Sequence, residues 1–415
     1  MRSMWWRGAT VWTLLVLMMA ASGCTRGAGK QGLPSLSSIP SDCSSDVTAS
    51  LNSFFAHVRP HETIRLPPRA CYLTQGTVVI KGRTGLDLEG DGALLKRTDP
   101  GRGTSWLPHL LLQHDRGLVV SALAIAGTRE PGAGSPGLEG HYGIVLRQDK
   151  DVTLTHVSVR HVSGDFINLF PAPPGAPDQS LNREVEVVRS SFDSSGYHGV
   201  TIEAVRGATF RHDTFSQIPV DSVDLEYDIY PTVFKDGQPT VAAEDGITFD
   251  HDLWLHDGGV WFVSLQGQRV QEDGIRLTDN VLRQTELSVQ VAGNAQVPNK
   301  GLTISGNRGD LPVGGPFPAV LLKNVEDVRI SHNVMPLFDG TPTYFPDHPH
   351  KVAVVLEGVS GARIEQNSFP GAAAVVDASP PGYRGRASER VSACGNRYWV
   401  RSTRSEGGAC MTPTS

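Results

Sequence analysis

At 415 residues and 39% hydrophobic side chains, the chain has ample material for a core, which excludes a mostly disordered protein. Thirty-seven Lys and Arg against 43 Asp and Glu give a net charge of −6 without a basic run, which excludes an electrostatic nucleic-acid binder. Forty-five glycines, about 11% of the chain against a usual ~7%, favour turns and short strands over a helical bundle.

The first 23 residues read as an export signal, with Arg2 and Arg7 in a positive leader and an apolar stretch from Ala9 to Ala21. A transmembrane helix would need roughly 18–20 apolar residues, more than this stretch offers. Ala21-Ser22-Gly23-Cys24 resembles the bacterial lipobox, with Ala where Leu is commonest. The expectation is a lipid on Cys24, a membrane anchor and an extracytoplasmic location; ordinary secretion is the alternative. Residues 24–41 have the Gly, Ser and Pro content of a flexible tether. Four cysteines remain, in two groups near the ends of the mature chain. Export implies an oxidising compartment, so the expected disulfides are Cys43–Cys71 and Cys394–Cys410. No cysteine or histidine spacing points to zinc.

Next comes an amphipathic helix over residues 46–58, with Leu51, Phe54, Phe55 and Val58 on one stripe. Beyond it an eight-residue pattern recurs, starting at Val152, Val185, Ala208, Ile247, Ile275, Leu302, Val328, Ala362 and Val391. Its first and third residues are apolar, the period of a strand. Its sixth is Asn at 280, 307, 333, 367 and 396 and Asp at 213 and 252, so Asp213 and Asp252 read as ladder residues. Copies lie 23–39 residues apart, which suits one coil of a parallel β-solenoid with insertions in its loops. Coils about 4.8 Å apart stack the asparagines into a ladder. A β-sandwich does not demand one residue at one register, and a propeller repeat of roughly 40–45 residues is too long. The fold class expected is all-β, a right-handed parallel β-helix over residues 42–400 with an N-terminal capping helix and a disulfide-bonded tail at 401–415. His156, His212, His251 and His332 share the fifth repeat position, which suggests a turn role.

The helix, then Glu62-Thr-Ile-Arg-Leu-Pro, the strand from Tyr72 and Gly85-Leu-Asp-Leu-Glu-Gly-Asp-Gly-Ala together resemble the entrance of the pectate-lyase-like β-helix superfamily. That resemblance implies a fold shared by lyases, hydrolases, epimerases and phage tailspikes, so it does not select a reaction.

Most repeats are followed by a second short strand. Aligning Ile167, Val200 and Val223 as inward residues stacks Asp165, His198 and Asp221 at the preceding turn. The same alignment puts Asn168, Thr201 and Asp224 in one outward column and Phe170, Glu203 and Glu226 in the next. Further on that wall the column is expected to pass through Ser264 and Gln290. Closely spaced carboxyls with an imidazole suit acid–base work on a glycosidic bond. The candidate catalytic residues are Asp165, His198, Asp224 and Glu226. Asn168, Tyr197, Thr201, Glu203, Asp221, Tyr227 and Tyr230 are candidate substrate contacts, with Tyr227, Tyr230 and Phe234 as stacking faces on the insertion at 227–245, which with that at 171–184 flanks the acidic turns. Against this, Asp165 could simply cap a turn, His198 could bond backbone, and Val223-Asp-Leu-Glu is ordinary strand alternation.

His198-Gly199 partly resembles the Gly-His-Gly element of polygalacturonase-type glycoside hydrolases, but their Asp-Asp and Arg-Ile-Lys elements are absent. Lyases of this fold use a basic residue and often Ca²⁺. That resemblance makes Arg206 or Arg211 a candidate base and Asp221, Asp224, Glu226 and Asp228 candidate Ca²⁺ ligands. No cofactor is required for hydrolysis. The expected function is a polysaccharide hydrolase or lyase, monomeric, with a polysaccharide partner and a membrane anchor but no nucleic acid. The rival is a non-catalytic glycan-binding or structural surface lipoprotein.

Overall fold

A computed structural model describes residues 35–98, 106–129, 138–170, 181–225, 234–235, 238–239, 244–258, 261–264, 272–293, 295, 298–312, 318–337, 352–372, 374–377, 387–400 and 403–406. The export signal, Cys24 and most of the tether lie outside them. Among the described residues no helix is long and apolar enough to cross a membrane.

Each repeat folds as strand, turn and strand. Lys150–Thr155 and Ser158–Arg160 meet at His156 and Val157, and Ile167–Phe170 follows as the third strand of the coil. Corresponding strands of successive coils pair in parallel, so the chain winds into three walls. The first wall runs from Thr63–Arg65 to Ser392–Cys394, the second from Asp42–Asp46 to Arg308–Leu311, and the third from Val78–Lys81 to Ala374–Asp377. Parallel pairing of this extent makes a parallel β-helix, as the repeat spacing predicts.

Inward residues of the three walls form one continuous core. Phe192, Phe215 and Trp254 stack on consecutive coils at centroid separations of 4.7 and 4.1 Å, and Phe210 stacks on Phe249 at 4.6 Å. Each such pair adds about 0.5–1.5 kcal/mol to the area it buries.

The turn between the first and second walls carries the expected ladder. Backbone N–H of Asn280, Asn307, Asn333 and Asn367 each donates to the side-chain oxygen of the next asparagine, ending at Asn396. Asp213 and Asp252 continue it downward: Asp213 N–H donates to Asp252 Oδ1 and Asp252 N–H to Asn280 Oδ1. One residue earlier, His156, His212, His251 and His332 all take φ between 54° and 60°. Histidine is among the side chains that tolerate this left-handed conformation, so the backbone accounts for their recurrence.

The capping helix covers Thr48–Phe55, shorter than its apolar stripe suggests, with Leu51 and Phe55 buried. Asn52 Nδ2 donates to Thr77 O while Val79 N–H donates to Asn52 Oδ1, so this one amide meets two backbone groups at the starting edge of the third wall. Cys43 and Cys71 form a disulfide that joins the first two strands of the second wall, Asp42–Asp46 and Cys71–Leu73. Cys394 is also disulfide-bonded, and Cys410 lies outside the described residues.

One register expectation is corrected. Val263, not Ser264, pairs with Asp224 and Gln290. Ser264 takes the inward position, where its hydroxyl donates to the buried Glu272 carboxyl.

Candidate functional site at the corner of the second and third walls

The third wall carries the outward column in the expected register, with Asn168 paired to Thr201 and Thr201 to Asp224. Two residues before these strands stand Asp165, His198 and Asp221. Gly199 lets the His198 turn lie directly under the next coil, since a Cβ there would fall 2.4 Å from Ser222 O. A side chain at that position would push the two coils apart.

Asp165 is 2% exposed. Its Oδ1 accepts the His198 backbone N–H at 2.9 Å and its Oδ2 accepts the Thr201 hydroxyl at 2.8 Å. The carboxylate thus holds the His198 turn by its backbone and does not meet the imidazole in these bonds.

His198 reaches the other way. Asp221 N–H donates to Nδ1 at 3.3 Å, and Nε2 lies 3.3 Å from Asp224 Oδ2. A backbone donor on Nδ1 places the ring proton on Nε2, directed at Asp224. Asp221 Oδ2 stands 4.0 Å from Nδ1. Burial pushes the imidazolium down to about 4, so at neutral pH both carboxyls face a neutral ring, and the contact with Asp224 is a hydrogen bond. The Tyr197 ring meets the imidazole edge-on at 4.0 Å. His198, Asp221 and Asp224 each bring a ligand atom within 4.8 Å of the others. That donor set could hold a cation, and it equally supplies two carboxyls at close range.

The group is recessed. Asp224 is 9% exposed and His198 4%, while Asp221 and Tyr197 form a half-buried rim. Beside it Asn168 Nδ2 donates to Glu203 Oε1 at 3.0 Å, both side chains being buried. Glu226, Asp228, Tyr227 and Tyr230 lie outside the described residues, as does most of both insertions. Arg206 and Arg211 lie on the first wall, away from this corner, and Arg211 is engaged with Glu186. Neither is brought to the site.

The sequence reading missed Asp257. Its Oδ2 accepts the Ser222 hydroxyl at 2.8 Å and its Oδ1 the Ile218 N–H at 3.4 Å. Burial pushes its carboxyl up to about 8. The Asp221 turn is therefore gripped by Asp257 from the coil above, as the His198 turn is gripped by Asp165 from below. The signal was present as a turn carboxyl after a second-wall strand, but its register is shifted from Asp165. Next to this turn Arg129, Gln217, Ile218, Pro219, His256 and Gly258 line a cavity of about 450 Å³.

Comparison with solved structures places this geometry on a known scaffold. The A-module of a mannuronan C-5 epimerase from Azotobacter vinelandii superposes with a TM-score of 0.58 at 15% identity, covering 88% of this chain and 94% of that one. The fold it shares with this chain is the right-handed parallel β-helix. The tailspike protein of E. coli bacteriophage HK620 gives a TM-score of 0.59 at 12% identity, covering 85% of this chain and 63% of that one. An exopolygalacturonase from Thermotoga maritima gives 0.50 at 12%, covering 91% and 94%. Identities this low establish the β-helix fold alone. No protein-family model matches the chain, and comparison with curated proteins finds no match.

Proposed function

We propose that this β-helix protein is an exported, lipid-anchored enzyme that cleaves a polysaccharide at the corner of its second and third walls, by hydrolysis or β-elimination. The observation that carries this reading is the neutral, buried His198 set between Asp221 and Asp224 at a half-open rim. Solved relatives in fold that act on polysaccharides, the epimerase module and the exopolygalacturonase, support the substrate class.

Asp224, held by the Nε2–H of His198, is the base or nucleophile. Asp221 at the rim is its acid partner, and His198 orients Asp224 and shares its proton. Their nearest oxygens, within 4.8 Å, are closer than the ~6.5–9.5 Å of inverting glycosidases and nearer the ~5–5.5 Å of retaining ones. In elimination the base would remove the proton beside a uronate carboxyl while the acid protonates the departing oxygen. Asp165 is a positioning residue, and Glu226, Tyr227 and Tyr230 belong to the proposed cleft by sequence.

A panel of acidic and neutral polysaccharides tests this. New reducing ends mark a hydrolase, and an ultraviolet-absorbing unsaturated product marks a lyase. Turnover should fall at least a hundredfold in Asp224→Asn and His198→Ala. Unchanged turnover in both variants refutes the site. Binding without turnover of any polysaccharide establishes the non-catalytic reading instead.

A further inference from the structure

A second column of side chains runs beside that of Asp165, His198 and Asp221. On four consecutive coils the second wall ends in a left-handed turn residue, His161, Ser194, Gln217 and His256, with φ of 56°, 64°, 57° and 58°. Register puts them in line, because Arg160 pairs with Asp193, Asp193 with Ser216 and Ser216 with Leu255, the residues immediately before them. Gln217 and His256 therefore stand one coil spacing of about 4.8 Å apart, and one backbone conformation sends their side chains the same way. Both line the cavity of about 450 Å³, together with Arg129, Ile218, Pro219 and Gly258. That volume lies within the ~300–1,000 Å³ of small-ligand sites.

The cavity shares its frame with the Asp221 turn. Pro219 is two residues from Asp221, and Asp257, which holds Ser222 and Ile218, stands between His256 and Gly258. Gly258 N–H donates to Ile218 O, and a Cβ on Gly258 would lie 3.1 Å from Pro219 O, so the two turns pack closely. The charge of the cavity is opposite to that of the corner. Arg129 is 6% exposed and keeps its charge at any physiological pH, and none of the other five lining residues is acidic. The Asp257 carboxyl beside them, pushed up to about 8 by burial, adds little negative charge at neutral pH. Gln217 Nε2 donates to Asp193 Oδ1 at 3.1 Å, and its Oε1 is an acceptor. The exposed His256 ring offers one donor and one acceptor when neutral.

We propose that this cavity is a subsite for an anionic sugar, one carrying a carboxylate or a sulfate, with Arg129 receiving the charge and Gln217 and His256 binding hydroxyls. The subsite, which rests on the polysaccharide reading of the His198 corner, fixes the charge of the substrate and its register. Asp221 and Asp224 repel an anionic group while Arg129 attracts it. The charged ring therefore settles in the cavity, and the linkage beside it falls at the two carboxyls.

Calorimetric titration of the full chain carrying Asp224→Asn, which keeps ligands uncleaved, tests this. The probes are a short oligouronate, a sulfated oligosaccharide and a neutral oligosaccharide of equal length. One of the two charged probes should bind at least tenfold more tightly than the neutral one, and which of them does so identifies the anionic group. Arg129→Gln should remove that preference. His256→Asn, which preserves the left-handed turn, should weaken the charged probe about threefold or more. Arg276→Gln, on the exposed face of the first wall, should change nothing. Equal affinity for charged and neutral probes overturns the subsite, as does a preference that survives Arg129→Gln or is lost equally in Arg276→Gln. Where Arg129→Gln does not fold, undiminished binding in both His256→Asn and Gln217→Asn overturns it instead. Charge-selective binding by a parent chain that cleaves no polysaccharide keeps the subsite and ends the catalytic reading, whereas cleavage without charge selectivity does the reverse.

Discussion

Asp252→Asn puts the ladder's chemistry to a quantitative test. Asp252 is 1% exposed, and its Oδ2 has no hydrogen-bond partner. One coil on, Asn280 Nδ2 donates to Phe249 O, and Phe210 is the residue paired with Phe249 one coil below. An Asn at 252 is thus placed to donate to Phe210 O, as is a protonated Asp. Burial first, and the Asp213 charge next, hold the Asp252 carboxyl well above the ordinary carboxylate range. Its folded pKa exceeds its unfolded one, so its contribution to stability is complete below about pH 4. That contribution declines as pH rises toward the folded pKa, by about 1.4 kcal/mol per unit. Asn does not titrate. The variant should therefore be more stable than the parent above the ordinary carboxylate range, its advantage growing as pH rises from 4 and vanishing toward pH 4. Urea unfolding of both proteins from pH 4 to 8 measures it. Parallel stability curves would show that Asp252 is ionised in the folded protein and end the argument.

Three further outcomes follow from the geometry. The His198 imidazole should remain neutral well below pH 6, because burial sets its pKa near 4. Nitrogen NMR should show the Nε2–H form, and titration near the ordinary ~6.5 refutes the burial argument. Gly199→Ala would press a Cβ to 2.4 Å from Ser222 O and 2.6 Å from Ile218 Cδ1. It should lower stability by about 1–3 kcal/mol and displace the His198 turn, and an unchanged melting curve contradicts this. Replacing Cys43 and Cys71 by Ser opens a 28-residue separation and should cost about 3–4 kcal/mol on chain-entropy grounds, read as a drop in the urea midpoint under oxidising conditions.

Much of the fold is legible in the sequence because a solenoid repeats one local rule. The eight-residue pattern encodes strand, turn and strand, and Asn280 through Asn396 mark the turn at each coil. The stacking of Asp165, His198 and Asp221 follows from that register alone. Two acidic ladders at the third corner were not legible. Asp115 N–H donates to Asp149 Oδ1 and Asp149 N–H to Asn182 Oδ1, while Glu272 and Asn299 repeat the theme higher up. Insertions of different length separate these residues, so no fixed spacing announces them.

The sequence by itself determined the coil, its inward residues and which side chains share a column, since these depend on period and register. Only the tertiary structure decided which atoms meet. It turned Asp165 toward backbone, His198 toward Asp224, and Ser264 inward by a one-residue slip. It also brought Asp257 over the Asp221 turn. The reason is that register fixes a side chain's place to within one coil spacing of about 4.8 Å, whereas a hydrogen bond requires about 3 Å and a particular direction. That last increment is set by rotamers and by the packing of neighbouring coils.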